Sequence, residues 1–130
     1  MIGLVVVTHA GLATSLIAAA AMITGGTEFC EAVELNQDDP PDELVPRISK
    51  ALEKVGDNGA VIMTDMFGGT PSNAAISFLK EGKIEVVTGV NLPMMVDYFS
   101  KRERVSLDEL SASLLKSGRE SVIIAGEFLK

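Results

Sequence analysis

Residues 3–16 read "GLVVVTHAGLATSL" and hold the only histidine of the chain, His9. The stretch opens on an uninterrupted run of β-formers, from Ile2 to Val7. A continuous apolar run predicts a strand buried on both faces, as in a parallel sheet. From Gly11 the pattern turns helical and reaches about Ile23. Leu12, Leu16, Ala19 and Ile23 fall on one stripe, and Gly25-Gly26 stops it. The imidazole therefore stands where a buried strand hands over to a helix.

The same alternation continues. Residues 29–35 predict a second strand, mixed in polarity and so nearer an edge. "NQDDPPDE", residues 36–43, reads as a turn, with Asp39 placed to cap a helix that runs to about Val55. Leu44, Ile48, Leu52 and Val55 form its inner face, and Pro46 is tolerable only in its first turn. Residues 60–64 predict a third buried strand, 71–79 a helix and 84–88 a fourth strand. Asn91 is placed to cap a helix through about Phe99. Ser106 and Glu109 have capping-box spacing, so another helix begins there and ends near Gly118. "SVIIA", residues 121–125, predicts a last short strand. This order implies the α/β class: a doubly wound, mostly parallel sheet of order 2-1-3-4 with helices on both faces. A length of 130 residues suits a single domain over 1–130.

Eighteen acidic and eleven basic side chains give a net charge of −7. That disfavours nucleic acid and anionic membranes as partners and suits a partner with a basic face. No apolar run reaches the ~20 residues of a membrane helix, and the apolar start lacks the basic n-region of a signal peptide. Cys30 is the single cysteine, so no internal disulfide forms; it reads as a plain buried thiol in a reducing, cytoplasmic setting.

In a doubly wound sheet ligands bind beyond the carboxyl ends of the strands, at the switch point. Strands 1 and 3 are neighbours there, so His9 and Asp65 are expected in one crevice. A catalytic metal usually takes three protein ligands, and no second histidine exists. No G-x-S-x-G and no nucleotide-binding glycine fingerprint occurs. Asp38, Asp39, Asp42 and Glu43 read as a solvated turn and helix start, not a metal cluster. No cofactor or metal is therefore expected. The chemistry left is nucleophilic or acid–base: a carboxylate accepts the hydrogen bond of one ring N–H and leaves the other nitrogen as a lone-pair nucleophile. "DMFGGTPSN", residues 65–73, adds Gly68 and Gly69 for close backbone approach, the Thr70 hydroxyl, and a helix start at Pro71 suited to an anion. The pattern suggests a phosphoryl group carried on His9; the plainer reading is a tight turn that needs glycine. "TGVNLPMMVDYF", residues 88–99, is the third loop on this edge. Met94 and Met95 read as packing residues or as an adaptable docking patch at the crevice rim.

Taken together, "GLVVVTHAGLATSL", "VIMTDMFGGTPSNAA" and "TGVNLPMMVDYF" resemble the enzyme IIA components of the mannose family of the bacterial phosphoenolpyruvate-dependent sugar phosphotransferase system. The blocks occur in the family's order, and Thr70 stands where some relatives have serine. The resemblance implies a phosphocarrier: His9 accepts a phosphoryl group from phospho-HPr and passes it to a IIB component, for sugar uptake or its regulation. It implies that Asp65 orients His9 and that Gly68, Gly69 and Thr70 lie beside the phosphoryl group. It also implies a homodimer in which the C-terminal strand is exchanged, and only indirect contact with the membrane through the permease. With Lys130 last, no fused IIB domain is expected. The alternatives are the phosphotransfer subunit of a dihydroxyacetone kinase system, a non-enzymatic regulatory interaction module, and a phosphatase working through phosphohistidine.

Overall fold

The computed structural model describes residues 1–130. Strands β1 (Gly3–His9), β2 (Cys30–Leu35), β3 (Ala60–Thr64) and β4 (Ile84–Thr88) form one parallel sheet in the order β2-β1-β3-β4. The helices are α1 (Leu12–Thr24), α2 (Leu44–Val55), α3 (Thr70–Ile76), α4 (Leu92–Lys101), α5 (Leu107–Glu120) and a final short α6 (Ala125–Phe128). The expected fold class and strand order are both present.

The unbroken apolar run of β1 follows from its two-sided burial. Leu4 and Val6 join a core with Val61, Met63, Tyr98 and Leu114, under α1, α4 and α5. Val5 and Val7 join a second core with Ile62, Leu44, Ile48 and Ala75, under α2 and α3. All of Leu4 to Val7 is closed to solvent, and a strand needed on both faces has no polar side to alternate with. β2 lies at the sheet edge, as its mixed sequence suggests.

Several local expectations shift. In α1 the inward residues are Ala13, Leu16, Ile17 and Ala20, while Leu12 and Ile23 are exposed. The helix is apolar almost all round, so its periodicity has little contrast to read. In α2 the inner face is Leu44, Ile48, Ala51 and Val55, and Pro46 sits in the first turn, where no intrahelical N–H is needed. Asp39 caps no helix; it accepts the Asn36 N–H at 2.9 Å and closes its own turn. A short 3-10 turn, Pro41–Glu43, leads into α2 instead. α3 ends at Ile76, and the chain to Leu79 continues in tighter i→i+3 bonds. Asn91 does cap α4, accepting the Met94 N–H, and Ser106 and Glu109 do form a capping box. Cys30 is half-buried, and burial pushes its thiol up to about 11, so it stays protonated and inert at neutral pH.

The largest departure is at the C-terminus. Residues 121–125 form no strand in the isolated chain: Val122, Ile123 and Ile124 are exposed and unpaired before α6. They join none of the four strands of the sheet. No helix is long and apolar enough to cross a membrane.

Candidate functional site

Sheet register builds the site. Thr64, the last residue of β3, lies opposite Val7 of β1. Asp65 therefore leaves β3 beside the end of β1, where His9 leaves the sheet. The two meet: His9 Nδ1 lies 2.7 Å from Asp65 Oδ2, and the same oxygen accepts the His9 backbone N–H at 2.9 Å. Asp65 Oδ1 accepts the Met66 N–H. Partial burial pushes the Asp65 carboxyl up, but the bonds from the His9 backbone and ring outweigh it and hold it below the ordinary value. An ionised carboxylate only accepts, so the ring proton sits on Nδ1. In the neutral ring Nε2 then keeps its lone pair. The Asp65 side chain is 13% exposed against 49% for His9, so the carboxylate is sheltered while the imidazole is reachable.

The backbone around His9 is held on both sides. Ala10 adopts φ 50, a left-handed conformation that costs a residue with a Cβ roughly 1 kcal/mol. It reverses the chain between β1 and α1, and its N–H donates to Leu35 O at 2.8 Å. Gly11, at the N-cap of α1, has no side chain to offer. The first helical N–H groups are met from elsewhere: Ala13 donates to the buried Thr8 hydroxyl at 2.8 Å, and Thr14 to the Glu34 carboxylate at 3.2 Å. The Ala10 conformation and the Glu34 part of this borrowed cap are not legible in the sequence, because both depend on β2 lying alongside.

The glycine loop plays two separate parts. Gly68 has φ +90, a region that disfavours any side chain. Gly69 is extended, but a Cβ there would lie 3.1 Å from His9 Cε1 and 3.7 Å from Nε2. Glycine at 69 thus clears space beside Nε2. Thr70 follows directly as the first residue of α3.

The remaining loops divide their roles, and the two methionines follow their packing reading. Met94 and Met95 are core residues under α4 and form no rim. The exposed apolar residues near the imidazole are Met66 and Phe67, in the loop that begins at Asp65. The 88–93 loop is tied to the end of β3 through Val90 N–H to Thr64 O. The other wall at His9 is instead the loop after β2. It makes a cleft of about 380 Å³ with His9, lined by Asn36, Gln37, Asp39 and Pro41. The sequence reads that turn as solvated, with Asp39 as a helix cap, and not as a wall of the site. No group of three or more His, Cys, Asp or Glu side chains converges to hold a metal ion.

Residues 3–115 match the family model described as the PTS system fructose IIA component. The chain belongs to the mannose-type enzyme IIA family of the sugar phosphotransferase system. It is 30% identical to the fructose-specific EIIA component of Bacillus subtilis, over 100% of this chain and 90% of that one. It is 32% identical to the mannose-specific EIIAB component of Escherichia coli, over 93% of this chain but only 38% of that longer protein. Among solved structures, the mannose/sorbose-specific IIA subunit from Enterococcus faecalis superposes with a TM-score of 0.84 at 25% identity, covering 95% of this IIA chain and 93% of that subunit. A Streptococcus agalactiae EIIA component shares the fold at a TM-score of 0.89 and 20% identity, over 98% of this chain and 99% of that one.

Proposed function

We propose that this IIA domain, spanning 1–130, is a phosphocarrier that receives a phosphoryl group on His9 Nε2 from phospho-HPr and passes it to a IIB component. The observation that carries this reading is the 2.7 Å contact of Asp65 with Nδ1, which leaves Nε2 as the free, exposed nucleophile. The step balances without a proton in flight. The Nε2 lone pair attacks phosphorus, the donor's N–P bond breaks, and the donor imidazole leaves with that electron pair. The product ring on His9 carries phosphate on Nε2 and a proton on Nδ1. Its positive charge faces the Asp65 carboxylate, so Asp65 both fixes the tautomer and stabilises the phosphorylated ring. Transfer onward to IIB is the same step in reverse sense.

Gly69 supports the role because its missing side chain leaves room beside Nε2. Gly68 shapes the loop, and Thr70 supplies a hydroxyl next to it. Exposed Met66 and Phe67 offer an apolar contact for a docking protein next to the reacting group. We place the protein in the cytoplasm, working as a homodimer, with its output in sugar uptake or its regulation.

The test is the fate of label from phosphoenolpyruvate supplied with enzyme I and HPr. A carrier holds acid-labile phosphate on wild type and none on His9→Ala, and discharges it to a IIB component. No label on wild type would mean a silent interaction module. Continuous phosphate release would mean a phosphatase.

A further inference from the structure

The cleft at His9 has one wall that the chemical step does not need. β1 lies between β2 and β3, so the loops after those strands flank His9 on opposite sides. The loop after β3 brings Asp65 and Gly69 to the ring. The loop after β2 encloses the open cleft through Asn36, Gln37, Asp39 and Pro41. That turn is short, polar and largely exposed, so apolar burial does little to hold it.

One guanidinium holds it instead. Arg47, in the early part of α2, donates from one nitrogen to Glu34 O at 3.1 Å and Asp39 Oδ2 at 3.0 Å, and from the other to Glu43 Oε2 at 2.9 Å. Its acceptors belong to the end of β2, the turn and the 3-10 turn before α2. Asp39 Oδ2 also accepts the Asn36 N–H, and the Asp39 N–H donates back to Asn36 O at 3.0 Å. The Asn36 N–H first and Arg47 second hold the Asp39 carboxyl below its ordinary value, so the clamp stays charged at neutral pH. A planar fork reaches these acceptors together; an ammonium group, a single point charge, does not.

We infer that Arg47 is a positioning residue: it fixes the Asn36–Asp39 turn as a preformed wall of the His9 cleft against which the phosphoryl-exchanging protein docks. The inference rests on the phosphocarrier reading. A protein bringing phosphohistidine to a half-exposed imidazole must cover both flanks of it. One flank holds the ring through Asp65. The other presents the Asn36 and Gln37 amides, and ordering them in advance removes that cost from docking. The Arg47 bonds go to Glu34, Asp39 and Glu43, not to the reacting groups. Loss of the clamp therefore belongs in KM and not in kcat.

Steady-state transfer from phospho-HPr tests this in wild type, Arg47→Ala, Arg47→Lys and Asp39→Asn. Arg47→Ala is expected to raise KM for phospho-HPr by about 3- to 10-fold with kcat within about twofold, the size of a partly exposed charge network. Arg47→Lys should fall between wild type and alanine. Asp39→Asn, which keeps an acceptor for the Asn36 N–H but removes the charge that Arg47 holds, should raise KM in the same direction and guards against an alanine variant that fails to fold. An unchanged KM in these variants, or a loss confined to kcat, overturns the role of Arg47. Absence of label on wild type overturns the phosphocarrier reading itself, and this inference with it.

Discussion

At the residue scale the proposed chemistry rests on one oxygen. Asp65 Oδ2 serves both the ring and the backbone N–H of His9, so it sets tautomer and ring position together. Asp65→Asn should slow phosphoryl transfer at least ~10-fold, within the usual range of acid–base contributions, while the fold survives; an unchanged rate removes that role. The same substitution has a stability signature. A depressed carboxyl contributes above its unfolded value and loses that contribution as pH falls through the lowered one. Urea midpoints of wild type and Asp65→Asn should differ at neutral pH and converge as pH drops below ~4. A gap that persists in acid speaks against it. The paired glycines separate by cause. Gly68→Ala should cost ~1 kcal/mol of stability through its positive φ. Gly69→Ala, with an ordinary backbone, should leave the melting temperature nearly unchanged yet cut transfer ~10-fold by crowding the ring. Equal effects on both properties in both variants would contradict this division.

At the scale of elements, strands were the most legible part of the sequence. β3 and β4 fall on the expected residues because their apolar runs end abruptly at turn residues. Caps were legible where they are local: Asn91 and the Ser106–Glu109 box need only their own helices. They failed where groups outside the helix decide. Asp39 turns toward Arg47, and α1 borrows its cap from Thr8 and Glu34. The pairing of His9 with Asp65 was legible because topology alone brings the ends of β1 and β3 together. The Asn36–Pro41 wall was not, because a run of acids and prolines reads the same whether it meets solvent or a cleft. Asn91 also does more than cap: its Nδ2 donates to Gly118 O at 2.9 Å and ties α4 to the end of α5. Asn91→Ala should therefore cost about 2 kcal/mol, more than a cap alone, in urea unfolding. A loss below ~0.5 kcal/mol would show the tie to be idle.

For the whole molecule the unfinished feature is the C-terminus. Val122, Ile124, Phe128 and Leu129 are each more than two-thirds exposed, an apolar end that a lone chain leaves in water. Proposed exchange between two copies would bury it and pair the residues of 122–124. Light scattering should give a dimer at micromolar concentration, and Val122→Asp with Ile124→Asp should shift it to monomer. A stable wild-type monomer contradicts the exchange. In the proposed function, two cores, a central strand and two flanking loops together present one nitrogen of His9. NMR of the phosphorylated, ¹⁵N-histidine-labelled protein identifies which ring nitrogen bears phosphorus. The account predicts phosphate on Nε2, with Nδ1 still protonated toward Asp65; phosphate on Nδ1, or none on His9 at all, would contradict it.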